Sequence, residues 1–363
     1  MSLAALARDL WRRQQGYGRG GRMKIETDEA EIVAGVRHSH TIGAPIAILI
    51  RNRDWANWTE NLPVEDYAGS EEKKKPVLRP RPGHADLAGV LKHNFSDARY
   101  VLERASARET AARVAAGAMA KALLAPFGIE VLSHVVGVGP VELERHATWE
   151  EIVALSRKDE VLLGCVDPET ESRMKSVVDQ VYRTGDTVGG MFEVVAHGVP
   201  PGLGSHASWD TRLDGRLAQA VVSIQAVKGV EIGAAREGTI SFGSDVQDVI
   251  GYDREGRRFT RRSNRAGGLE GGITNGEDVV VRGYLKPIST LRRPLESVDF
   301  ATREPSQAAY ERSDVCVVPA AGVVAEAMVA LVLAGAFLDK FGGDSLVETR
   351  RNYEGYLKQL REF

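Results

Sequence analysis

Residues 103–126 read ERASARETAARVAAGAMAKALLAP, and the rest of the chain is organised around this stretch. Ala, Val, Met and Leu run through it, so a helix is expected from Ala107 to Ala125. Ser106 followed by Glu109 fits the S-x-x-E capping box, in which each side chain satisfies an orphan backbone donor of the other. Pro126 stops the helix. Arg104, Arg108 and Arg113 crowd its first turns, where the positive end of the helix dipole disfavours cations. A sequence breaks that rule where an anion is meant to sit among the charges, so the helix start is a candidate binding site.

Working outward, a second apolar helix is expected over Gly322 to Phe341, stopped by Gly342 and Gly343. Glu326 and Asp339 lie within it, which makes it a buried helix and not a membrane span. Leu3 to Gln15 reads as an amphipathic helix, Leu213 to Ile224 as another, and the C-terminus as a polar one. Strands are expected at Gly43–Ile50, in MFEVVAHGV (191–199), and in VVVRGYL up to Pro287. Residues 139–186 read as a helical excursion, 52–81 as a surface excursion, and Arg236 to Arg262 as a mobile connection. The elements mix helices and strands, which is an α/β (α+β) chain, and no break in composition divides it into domains.

Bulk properties exclude several classes. The 363 residues are 43% hydrophobic and 27% charged, ordinary values for a globular protein. Lys plus Arg is 47 against 50 for Asp plus Glu, a formal charge of −3, which argues against a dedicated nucleic-acid binder. Cys165 and Cys316 are too few for a disulfide framework and suit a reducing compartment. The N-terminus lacks a signal-peptide core, so a cytoplasmic protein without a membrane partner is expected. His38 and His40 lie two apart near a strand, a spacing that does not make a convincing metal site.

The positive charge is clustered. QGYGRGGRM (15–23) follows Arg12 and Arg13, and could be an RNA-binding Arg-Gly element, a solvated tail, or one wall of an anion cradle. RPRPGHADL (79–87) fixes the backbone around Arg81 with two prolines and lets Gly83 approach closely before His84. It is otherwise a rigid surface turn with an incidental histidine. RSDVCVVPAAG (312–322) sets Arg312 two residues from Asp314, or else is a surface ion pair at a strand edge. No Walker motif occurs, and GYGRGG follows a helix where a dinucleotide fingerprint follows a strand.

Taken together, these segments resemble chorismate synthase of the bacterial type. RPRPGHADLAGVLKHNFSDARYVLERASARETAARVAAGAMAK, QAVKGVEIG, NRAGGLEGGITNG, LKPIST and RSDVCVVPAAGVVAEAM occur in the family's order, with QGYGRGGRM and GVRHSHTIGAPIAILIRNRDW near its start. The resemblance implies a β-α-β sandwich with helices packed between sheets, residues 1–363 forming one domain, assembled as a homotetramer. It implies a lyase that converts 5-enolpyruvylshikimate 3-phosphate to chorismate by 1,4-elimination of phosphate. The reaction requires reduced FMN, and NADPH enters only indirectly as a source of reducing equivalents.

The same resemblance implies the site. Arg13, Arg19, Arg22, Arg81 and Arg108 match positions that grip the substrate. His84 matches a catalytic histidine near the flavin, and Asp314 the aspartate near flavin N5. Arg312 would support the charge of Asp314 and bind ligand. Arg104, Ala105 and Ser106, Gln225 and Ala226, Gly271, and Lys286, Pro287, Ile288, Ser289 and Thr290 match flavin-binding positions. The family also carries a strand and a G-E-S-H-G motif, with a second catalytic histidine, ahead of the Arg-Gly loop. This sequence holds no such motif, and His38 and His40 belong to a different family segment. A chain shortened at its N-terminus is therefore expected, with an inactive homologue that still folds and binds FMN as the alternative.

Overall fold

The computed structural model describes residues 3–20, 27–65, 76–311 and 314–363. Helix α1 spans Leu3–Gln14. Strands β1 (Ala30–Ala34) and β2 (Ala47–Ile50) pair antiparallel. Short helices α2 (Asp86–His93) and α3 (Arg99–Arg104) lead into α4 (Thr110–Leu124). Strands β3 (Glu130–Val138) and β4 (Val141–Glu142) precede α5 (Trp149–Ser156) and α6 (Pro168–Thr184). Then come β5 (Gly190–His197), α7 (Leu213–Val222), β6 (Val227–Ile232) and β7 (Val279–Leu285). Helices α8 (Val318–Phe341) and α9 (Leu346–Glu362) close the chain.

Five strands form one antiparallel sheet in the order β4-β3-β5-β7-β6. The alternation in VVVRGYL explains one of its faces: Val279, Val281 and Leu285 are buried toward the helices. On the other face the register sets His134, Glu193, Arg282 and Glu231 side by side across four strands. Opposite charges thus meet as cross-strand neighbours, with Arg282 Nη2 donating to Glu193 at 2.6 Å.

Helix α8 lies against that sheet, and α4 lies against α8, with α1 and α7 beside them. On the far side of α4 sits β2, whose Ile48 and Ile50 pack on the same core. Helices therefore lie between a five-stranded sheet and a two-stranded ribbon. One core cluster draws side chains from Leu6 to Phe341. Helix α8 is long and apolar enough to cross a membrane, but most of it is buried in this core.

The two helices expected from sequence meet at Gly117 and Ala327. A Cβ added to Gly117 would fall 2.2 Å from the Cβ of Ala327. Gly117→Ala gains about 1 kcal/mol of helix propensity. Overpacking a rigid helix contact costs about 1–3 kcal/mol, and more where the contact is this close. Gly117→Ala is therefore expected to lower the urea midpoint at unchanged slope; a raised midpoint would show that the helices part easily.

Several boundaries differ from the sequence reading. The helix after Ser106 begins with a 3-10 turn, Ala107–Glu109, before α4 proper. Helix α8 starts four residues earlier than expected, at Val318, because Pro319 suits a first helical turn. Residues 236–262 are not a bare connection: they hold turns of helix and the hairpin Ile250–Asp253 with Arg258–Arg261.

Candidate functional site

The described part of the Arg-Gly loop, residues 15–20, is tied down at Tyr17 and Gly18. Tyr17 donates to Asp179 on α6 at 2.6 Å, and Val315 N–H donates to the Gly18 carbonyl at 2.8 Å. Gly18 has φ +85°, and a Cβ there would strike Val178 at 2.8 Å, so glycine is required on both counts. This docking brings the loop onto Asp314: Gly20 N–H donates to Asp314 Oδ1 at 2.5 Å, and Arg19 Nε lies 3.0 Å from Asp314 Oδ2. Among the described residues a countercharge to Asp314 is thus Arg19, 295 residues away in sequence. Arg312, expected in that role, and Arg22 lie outside the described residues.

Next to it, Arg13 reaches the start of α4. It donates to Thr110 Oγ1 at 2.9 Å, to the Ala107 carbonyl at 3.1 Å and to Asp28 Oδ2 at 3.0 Å. Arg108 pairs with the other oxygen of Asp28 and donates to the Arg51 carbonyl at 3.2 Å. The Asp28 carboxylate is buried. Crowding of arginines at the helix start, read from sequence as a place for a bound anion, is thus offset by a carboxylate of the chain itself.

The capping box is also revised. Ser106 does accept from a backbone N–H, that of Arg108, at 3.3 Å. Glu109 does not return the bond. Its carboxylate takes Arg113 at 2.9 Å and Gln225 Nε2 at 2.6 Å. Burial pushes the Glu109 carboxyl up, but Arg113 and Gln225 outweigh it and hold it below its usual range. Gln225 is fixed there by the tight turn after α7, where Ala226 adopts φ +68°, a left-handed conformation costly for a residue with a Cβ.

The Ala226 carbonyl accepts from Lys286 N–H at 3.0 Å, which joins this cluster to the segment after β7. There Lys286 Nζ donates to the Gly83 carbonyl at 2.7 Å and to Ser289 Oγ at 3.0 Å. Thr187 Oγ1 holds the Ile288 carbonyl at 2.7 Å, beyond Pro287. Burial and then the nearby Lys228 push the Lys286 ammonium below its ordinary pKa. Among the described residues no carboxylate is paired with Lys286.

His84 and Arg81 complete the arrangement. Arg81 is buried and donates to Thr290 Oγ1 at 2.8 Å and to both oxygens of Asp86, at 2.8 and 3.0 Å. His84 Nδ1 lies 2.6 Å from Asp86 Oδ1. Burial alone would push the Asp86 carboxyl up, yet His84 and Arg81 hold it well below the usual carboxylate range.

The tertiary structure thus brings many of the expected residues together through hydrogen bonds and chain neighbours: Asp314 with Arg19, Arg19 with Arg13, Arg13 with Arg108 through Asp28, Gln225 with Glu109, Lys286 with Ala226 and Gly83, and Arg81 with Thr290 and His84. Ala105 caps α3 just after Arg104, and Arg104 adds to the field on Glu109. Gly271 stands apart: a Cβ added to it would meet His206, at 3.9 Å, in a loop outside that cluster. His38 and His40 lie on an exposed hairpin of their own. Sequence reasoning passed over Asp28, Asp86, Glu109 as a cation partner, and Lys228. Only Asp86 carried a signal, since it stands two residues from His84.

A family model described as chorismate synthase matches residues 1–338. The sequence is 75% identical over 363 residues to the chorismate synthase of Solibacter usitatus (strain Ellin6076), covering 100% of this chain and 93% of that protein. It is 68% identical over 365 residues to that of Koribacter versatilis (strain Ellin345), covering 99% and 92%. A solved structure titled as a crystal structure of chorismate synthase aligns with TM-score 0.78 at 41% identity, covering 100% of this chain and 91% of that chain.

Proposed function

The chain belongs to the chorismate synthase family, and from that premise we propose how its residues serve the reaction. The reaction is a carbon–oxygen lyase step on 5-enolpyruvylshikimate 3-phosphate: the C–O bond to phosphate and a ring C–H bond break, and a second ring double bond forms. No electrons are gained or lost overall. Reduced FMN, when bound, would supply an electron-rich ring system for this step.

The donor set fits such a ligand. Burial and then the charge of Lys228 disfavour the Lys286 ammonium, which carries no carboxylate partner among the described residues and donates to Ser289. An anion there relieves the repulsion between the two ammonium groups. Arg104, Ala105, Ser106, Gln225, Ala226, Gly271 and Lys286 to Thr290 are proposed to hold the flavin, with Arg312. Arg13, Arg19, Arg22, Arg81 and Arg108 are proposed to hold the substrate anions. Asp28 and Asp86 fix three of these guanidiniums in place before substrate arrives. His84 is proposed to move a proton at Nε2, and Asp314 to act as the carboxylate beside the reacting centre.

The observation that carries this reading is the convergence of these residues, joined by hydrogen bonds and chain neighbours although they lie up to 295 positions apart in sequence. We also propose a cytoplasmic homotetramer. Both cysteines are free and buried, and Ile240, Phe242, Ile250 and Phe259 are exposed along one segment, an apolar surface suited to a second copy.

An anaerobic assay with 5-enolpyruvylshikimate 3-phosphate and chemically reduced FMN tests the proposal on the 363-residue chain. Chorismate should form, at a rate on the order of 1–10³ per second. FMN binding with no turnover would favour the alternative, an inactive homologue of the family.

A further inference from the structure

We propose that Asp86 is a positioning residue for this reaction: its carboxylate accepts a hydrogen bond from Nδ1–H of His84 and leaves Nε2 as the nitrogen that exchanges protons. The inference rests on the reading that His84 serves the reaction, and it adds a residue that reading does not use. Its basis is geometric. His84 Nδ1 has two close neighbours, Asp86 Oδ1 at 2.6 Å and Arg81 Nη2 at 3.0 Å. Guanidinium can only donate and an ionised carboxylate can only accept, so one ring nitrogen cannot satisfy both. A bare Nδ1 would set its lone pair against a carboxylate oxygen at 2.6 Å. A protonated Nδ1 gives that oxygen a charge-assisted hydrogen bond, and the 3.0 Å contact with Arg81 becomes a packing contact. Arg81 Nη2 also lies 3.4 Å from Nε2, so it is not directed at Nδ1 alone.

The carboxylate is not free to turn away. Asp86 is 0% exposed and accepts from Arg81 at three points: the backbone N–H at 3.1 Å, Nε at 2.8 Å and Nη2 at 3.0 Å. Arg81 is anchored in turn on Thr290. Asp86 is also the first residue of α2, where the helix dipole favours a negative charge. The charged groups facing His84 are thus Asp86 and Arg81 from its own segment, with Lys286 bonded to the adjacent Gly83 carbonyl from across the site. This layout fixes both the ring tautomer and its orientation, the two properties that a second residue controls in histidine-based proton transfer.

The test uses the full chain labelled with 15N-histidine and a long-range 15N–1H correlation spectrum, with His84→Gln assigning the signal. Neutral His84 is expected as the Nδ1–H form. In Asp86→Asn the amide can donate as well as accept, so that preference is expected to weaken. Turnover of Asp86→Asn is expected to fall about 10- to 100-fold with KM changed less than about threefold. An Nε2–H ring in the unaltered chain overturns the proposal, and that reading requires no variant to fold. A preserved tautomer and preserved kcat in a folded Asp86→Asn overturn it too. Absence of turnover in the unaltered chain counts against the family reaction itself, so the two failures are read out separately.

Discussion

Replacing His84 by alanine is expected to cut turnover by about 10²- to 10⁴-fold, the range for removing a positioned proton-transfer group. FMN affinity should change by less than about threefold, since the side chain makes its hydrogen bond to Asp86 and not to the flavin segments. The same split is expected for Asp314→Ala, but there alanine also removes the bond from Gly20 N–H and the charge facing Arg19. Asp314→Asn keeps an acceptor for Gly20 while removing the charge, and so separates chemistry from loop docking. Flavin fluorescence titration beside the anaerobic turnover assay reads both quantities. If affinity and turnover fall in parallel for His84→Ala and Asp314→Asn, these residues hold structure and the roles proposed for them are wrong.

Glu326→Gln is expected to cost about 3–5 kcal/mol of folding stability, the range for breaking a buried ion pair from one side. Glu326 is fully buried in the middle of α8. It accepts from Arg12 at 2.6 and 2.7 Å, from Lys121 at 2.6 Å, and from Ser133 N–H and Oγ at 2.8 and 2.6 Å. Glutamine would leave two cations facing a neutral group that lacks the charge to hold them. Urea unfolding measures the effect, with Glu151→Gln as the control. Arg145 and Glu151 also approach to 2.6 Å, but both are solvated, so the midpoint should barely move. A small effect at Glu326 would mean that water reaches the cluster.

The pH dependence follows with its sign. Burial by itself would push the Glu326 carboxyl up, but Arg12 and Lys121 more than offset this and hold it below 4.5. The unfolded chain therefore takes up the proton first as pH falls. The stabilisation is complete at neutral pH, begins to decline near pH 5, and is lost as pH drops through the folded value. The stability gap between the unaltered chain and Glu326→Gln should narrow in acid over that interval.

The sequence by itself determined the elements and the kind of chemistry. Helices α4 and α8 were legible because apolar periodicity and their stop signals are local, needing no knowledge of the partner surface. The glycine and arginine content of residues 15–23 announced a loop that approaches something closely, and the order of motifs announced the family. Tertiary structure decided which charge answers which. Arg13 and Arg108 meet at Asp28, Arg12 and Lys121 meet at Glu326, and Arg19 meets Asp314, across gaps of 15 to 314 residues. Glu326 shows the limit well: in sequence it only argued against a membrane span, and in the fold it ties α1, α4 and β3 to α8. Periodicity says which face of a helix is buried. It carries nothing about what lies opposite, and a buried charge takes its meaning from the group within 3 Å of it.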